Sequence, residues 1–149
     1  MKALLQRVSE ASVTTQTGCV GKITTGLLIF LCVEPDDSEK EVAFLAEKVT
    51  NLRIFADADG KMNLSVRDTG GRILAVSQFT LAAHWRKGNR PGFSAAAAPD
   101  LANSLYDAFC EAIRSHGIIV ETGSFGEHMD VALINDGPVT LWLDTNHPI

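Results

Sequence analysis

From Leu27 to Val33 the chain runs Leu-Leu-Ile-Phe-Leu-Cys-Val, without one polar residue. A run this short, closed by Glu34 and Pro35, reads as a β-strand buried on both faces. It is far below the ~20 apolar residues that a membrane span requires. Short strand-like segments precede it, Lys2–Val8, Ala11–Thr15 and Val20–Ile23, with Gly18 and Gly21 between them.

Two helices follow from their own signals. Ser38 and Glu41 have the Ser-x-x-Glu spacing of a capping box. Behind them Val42, Leu45, Ala46 and Val49 recur at helical spacing and form one apolar stripe. Pro99-Asp100 opens the second helix, whose stripe is Leu101, Leu105, Ala108, Phe109 and Ala112, with Gly117 as its C-terminal stop. Leu52–Phe55, Met62–Val66, Arg72–Ser77 and Ile118–Glu121 read as strands. Val131–Asn135 and Val139–Leu143 alternate apolar and polar around Asp136-Gly137-Pro138, the pattern of two strands joined by a tight turn. The expectation is a single α+β domain over residues 1–149, with a mainly antiparallel, barrel-like sheet and two amphipathic helices. At 149 residues, 46% hydrophobic and 21% charged, the chain can build its own core.

The formal net charge is −5, which argues against general DNA binding through phosphate contacts and leaves room for a local basic patch. Cys19, Cys32 and Cys110 form neither a disulfide framework nor a CxxC zinc pair. That usage, and the lack of a signal-like N-terminal run, lead to the expectation of a cytoplasmic, non-membrane protein. No phosphate-binding glycine loop, G-x-S-x-G elbow or paired-histidine metal motif is found.

Three stretches could carry chemistry. Ser77-Gln78-Phe79-Thr80 lies at the end of the buried strand Ile73–Val76, where hydroxyls, an amide and backbone N–H groups could hold a polar ligand or an oxyanion. The competing reading is an ordinary solvated strand edge, since no base is near in sequence. Gly137-Pro138 is a turn that leaves its backbone open to close approach, or simply a hairpin turn. His84 to Phe93 gathers Trp85, Arg86, Lys87 and Arg90 in one loop, either a phosphate-and-base contact patch or a solvated charged loop.

These pieces together resemble the D-aminoacyl-tRNA deacylases. The resemblance is carried by Gln6-Arg7-Val8, Phe55 to Leu64, Ser77-Gln78-Phe79-Thr80-Leu81 and Asn135-Asp136-Gly137-Pro138-Val139-Thr140. Arg90-Pro91, Phe93-Ser94, Leu105-Tyr106, Thr122-Gly123, Phe125-Gly126 and Met129 fit too, so it runs from Met1 to about Leu143. It implies hydrolysis of the ester joining a D-amino acid, or mischarged glycine, to the 3′ end of tRNA. It also implies a homodimer with its active site at the interface, and no metal or other cofactor. Ser77, Gln78, Phe79 and Thr80 would then line the site for the aminoacyl-adenosine end. Gly137-Pro138 would be a cis dipeptide entering from the partner, with no room beside it for an L side chain. Arg7 would hold that dipeptide, and Met129 would belong to the substrate site. Thr80 acts either as a nucleophile or within a site that positions the ester and stabilises its oxyanion, and the lack of a nearby base favours the second. The chain departs from the family at His84-Trp85, at Gly92 and at Glu127-His128. Two other readings stay open: a nucleic-acid-binding module without catalysis, and an unrelated esterase using Ser77.

Overall fold

The strand predicted from Leu27–Val33 is β3, Gly26–Cys32, and its neighbours explain its composition. The computed structural model of the chain describes residues 1–147. Leu27, Ile29 and Leu31 point into one apolar cluster and Leu28 into a second. The strand beside it, β6 (Arg72–Ser77), divides the same way, with Ile73 and Ala75 in the first cluster and Leu74 and Val76 in the second. Alternation along a strand sends successive side chains to opposite faces, so an unbroken apolar run is what a strand between two cores requires. Burying each such Leu or Ile is worth about 2 kcal/mol.

The first strand, β1 (Lys2–Thr15), is continuous where the sequence suggested two pieces. On one side it pairs antiparallel with β3 through Lys2–Val8 and with β2 (Gly18–Ile23) through Ala11–Thr15. On the other it pairs antiparallel with β8, Asp130–Asp144. β3 continues in parallel to β6, and β6 to β7 (Val120–Thr122). β4 (Phe55–Ala56) and β5 (Met62–Leu64) make a separate small ribbon. The main sheet curls almost into a barrel: a Cβ on Gly21 of β2 would come 2.5 Å from the Thr122 carbonyl oxygen of β7. The second cluster fills the inside of this curl.

The helices α1 (Glu39–Asn51) and α2 (Pro99–Ser115) cover the outer face and pack on each other. The Ser38 capping box forms as expected, with the Glu41 carboxylate accepting from the Ser38 N–H at 2.9 Å. Gly117 follows the end of α2 with φ of 81°, and its N–H donates to the Arg114 carbonyl at 2.8 Å. No helix among the described residues is long and apolar enough to cross a membrane.

One expectation fails. Val131–Asn135 and Val139–Leu143 are not the arms of a hairpin, because both lie in β8 and both pair with β1. Gln6 faces Thr140 and Val8 faces Asn135, so Arg7 alone lies opposite Asp136 to Val139. The Asp136-Gly137-Pro138 segment is an outward excursion of one strand, a large bulge rather than a reversal.

Candidate active site

The parallel strands β3 and β6 end side by side, Leu31 against Ser77. Gln78 continues the ladder for one more bond, its N–H donating to the Leu31 carbonyl at 2.7 Å. Then the chain turns into a short 3-10 helix, Phe79–Ala82. Outside these strand ends lies a pocket of about 540 Å³. In open parallel sheets, crevices at the carboxyl ends of the strands are where ligands bind, and the parallel β3–β6 pair offers the same kind of end here.

Ser77, Gln78 and Phe79 form one side of the pocket. Phe79 meets Phe93 edge to face, with ring centroids 5.3 Å apart, and both rings are partly open to solvent. The segment behind Phe93 is pinned just past the end of β3 by the Ala97 N–H, which donates to the Val33 carbonyl at 2.9 Å. The opposite wall is the turn that carries Phe125, Glu127, His128 and Met129.

That turn is held from beneath. The Ala75 carbonyl accepts the Gly123 N–H at 3.0 Å and the buried Tyr106 hydroxyl at 2.9 Å. Burial pushes the Tyr106 hydroxyl well above its ordinary value, so it stays a donor. A side chain on Gly123 would meet the Met129 sulfur at 2.7 Å, so glycine here gives Met129 its place.

The Thr80 hydroxyl accepts a hydrogen bond from the Gln78 side-chain amide at 2.5 Å. An amide N–H is a donor and takes no proton. No group that could act as a base is hydrogen-bonded to Thr80 among the described residues. The N–H groups of Phe79 and Thr80, at the start of the 3-10 turn, find no acceptor among the described residues, and Gln78 gives no side-chain cap. Unpaired N–H donors of this kind suit a developing oxyanion. Beneath them the Cys32 thiol donates to the Phe79 carbonyl at 3.6 Å, and burial, reinforced by the Glu34 charge, pushes it up to about 11.

Thr80 itself is not among the residues lining the pocket, and the remaining residues singled out in the sequence lie elsewhere. Trp85, Arg86, Lys87 and Arg90 sit on an exposed loop closed by paired backbone bonds between His84 and Gly92, at 2.8 and 3.0 Å. Trp85 is 70% exposed, and the Arg86 guanidinium lies 5.9 Å from its ring centroid. None of these four lines the pocket. Arg7 lies on β1, where its guanidinium donates to the Ile54 carbonyl. Its Nε sits 2.9 Å from an Asp136 carboxylate oxygen, close enough to pair charges but off the line of the N–H, so this buried nitrogen makes no hydrogen bond among the described residues. Gly137 and Pro138 are exposed at the excursion, joined by a cis peptide bond, and touch no part of this pocket.

The family model described as D-Tyr-tRNA(Tyr) deacylase matches residues 4–144. The chain belongs to this deacylase family. A D-aminoacyl-tRNA deacylase of Ruegeria sp. (strain TM1040) is 58% identical, over 98% of this chain and 94% of the relative. One from Exiguobacterium sp. is 56% identical, over 98% and 99%. Among solved structures, one named c-Myc DNA Unwinding Element Binding Protein superposes with a TM-score of 0.91 at 39% identity, over 97% and 99% of the two chains. In this member of the deacylase family, the sequence placed Phe93 in the basic loop and Tyr106 and Asn135 among the family-like residues, but gave no sign that Phe93, Ala96 and Ala97 wall the pocket or of what the Tyr106 and Asn135 side chains bond. The apolar alternation of α2 had marked Leu105 and Phe109 as core but gave no sign that the Tyr106 hydroxyl reaches β6.

Proposed function

We propose that this protein is a D-aminoacyl-tRNA deacylase acting as a homodimer in the cytoplasm, cleaving the ester of D-amino acids, and of mischarged glycine, at the 3′ end of tRNA. Gly137 is the observation that carries this reading. Its φ is not positive, and a Cβ built on it would meet nothing within 4 Å. The protomer itself has no use for glycine there. A surface that comes to the tip from outside does, and the open pocket of a second copy is of the right kind.

The edge of β8 supports the same arrangement. β8 is 15 residues long, and among the described residues its outer edge pairs with nothing. It also exposes Ile134 at 55% and Trp142 at 44%. Long edges with exposed apolar side chains are rarely left bare, because they template pairing with another chain.

In this reading the aminoacyl ester lies at Ser77 to Thr80, with its carbonyl oxygen facing the N–H groups of Phe79 and Thr80. Positioning and oxyanion stabilisation lower the barrier, and the neighbouring RNA 2′-hydroxyl assists. Met129 borders the amino-acid end. The partner's backbone at the tip leaves no room for an L side chain and asks nothing of a D side chain, which gives strict chirality with broad tolerance. Arg7 secures the excursion from β1, while Trp85, Arg86, Lys87 and Arg90 meet RNA phosphates and bases beside Phe93.

Matched D- and L-tyrosyl-tRNA incubated with purified protein, with and without a chelator, test the reading. Rapid loss of the D ester alone, unchanged by chelator, is the expected result. The structure named as a DNA-unwinding-element binder raises a second reading, a nucleic-acid-binding module. It is favoured if neither ester is cleaved while the tRNA, or a duplex, is still bound.

A further inference from the structure

We propose that Asn135 is a positioning residue that sets how far the Gly137-Pro138 tip projects. The inference rests on the reading of that tip as the chiral barrier. At the base of the excursion the Asn135 side-chain amide donates to the Arg7 carbonyl at 2.9 Å and to the Val139 carbonyl at 3.1 Å. Both partners are carbonyl oxygens, so the NH2 group must face them, and its two hydrogens are both engaged. The side chain thus closes the loop across its neck and ties it sideways to β1.

The two anchors are themselves fixed. Val139 is 6% exposed and belongs to the core packed against the helices. Arg7 is held by its side chain at Ile54 and by the ladder on its other edge, where it faces Leu27. The excursion between these points has little else of its own: Asp136, Gly137 and Pro138 are all exposed. Arg7 also approaches Asp136 from β1, Nε to carboxylate 2.9 Å, but that pair holds one side of the excursion, and among the described residues the Asn135 amide is the side chain that bonds both ends of the neck. The β1–β8 ladder runs from Lys2–Asp144 to Thr14–Asp130 without needing this side chain. Asn135 therefore acts on the tip, not on the fold.

Asn135→Asp keeps the size but sets carboxylate oxygens against two carbonyl oxygens, and Asn135→Ala removes the contact. Both are expected to melt and sediment like the wild type. Both should raise the ratio of L- to D-tyrosyl-tRNA hydrolysis (kcat/KM) at least tenfold, a readout that general destabilisation does not move. Pro138→Ala is measured beside them. A wild-type ratio in both Asn135 variants, with the ratio shifted in Pro138→Ala, overturns the clamp and leaves the barrier reading standing. An unshifted ratio in Pro138→Ala overturns the barrier reading and the clamp with it. If both Asn135 variants fail to fold, the side chain serves the ladder and the inference is also overturned.

Discussion

The Gln78 side-chain amide donates to the Thr80 hydroxyl at 2.5 Å. This contact orients the hydroxyl and offers it no base. Removing a true nucleophile costs about 10^4-fold or more in kcat. Thr80→Ala is therefore expected to keep kcat for D-tyrosyl-tRNA within about tenfold of the wild type, since it removes only a positioning contact. Single-turnover kinetics with excess enzyme decide this, and a loss above a thousandfold would reinstate the nucleophile.

Gly26 and Gly137 are predicted to fail in opposite ways. A Cβ on Gly26 would sit 1.8 Å from the Arg72 carbonyl oxygen, which is backbone and cannot yield while β3 and β6 stay paired. Gly26→Ala should give insoluble or unfolded protein. Gly137→Ala should change stability by no more than about 0.5 kcal/mol, as at ordinary surface sites, yet slow deacylation. Thermal melts paired with turnover separate the two, and a destabilised Gly137→Ala would mean that the protomer needs this glycine after all.

The thiols should differ sharply in reactivity. Burial pushes Cys32 and Cys110 up to about 11, whereas Cys19 is exposed. A raised value means less thiolate at a given pH, and the thiolate is the nucleophile. At pH 8 an aromatic disulfide reagent should titrate one thiol quickly in native protein and three after denaturation. Fast reaction of a second thiol in the native state would show that burial of Cys32 or Cys110 is lost in solution.

Acid should destabilise the fold through three surface carboxylates. Hydrogen bonds from Ser38 to Glu41, from Asn63 to Asp57 and from Ser65 to Asp68 lower each group below its ordinary value of 4.5, 3.8 and 3.8 respectively. A lowered carboxylate binds its proton more weakly folded than unfolded. Its contribution is present above those ordinary values and lost as the pH falls beneath them. Urea midpoints measured from pH 7 to pH 3 should decline, and Ser65→Ala should flatten the decline only in part, because it removes the hydroxyl donor to Asp68 and leaves the Ser65 N–H donating at 2.8 Å.

How much of this was legible beforehand follows the range of each interaction. The Ser38 capping box and the Gly117 stop could be read from residues three or four apart, because the hydrogen bonds that make them are equally local. The apolar run of β3 told of a strand between two cores because side-chain alternation is itself local, so a run apolar at every position needs an apolar neighbour on both faces. The motif at Ser77 to Thr80 was visible as a string, and its resemblance to a family is what proposes it as the ester site.

Local signals could not say what the Asp136-Gly137-Pro138 turn connects. Turn residues between two alternating segments suit a hairpin and an excursion equally well, and the choice depends on which strand receives the second segment. That is decided by β1, more than a hundred residues away in sequence, which takes both halves of β8 on one edge. The pocket wall at Phe93–Ala97, the Tyr106 bond to Ala75 and the Asn135 clamp are contacts of the same long range. Sequence alone determined the two helices, the Ser38 and Gly117 caps, the buried strand and the family resemblance; tertiary structure decided how the strand segments join and pair and which carbonyl each buried donor reaches, because hydrogen bonds across a sheet depend on register, and register is a property of the paired strands together.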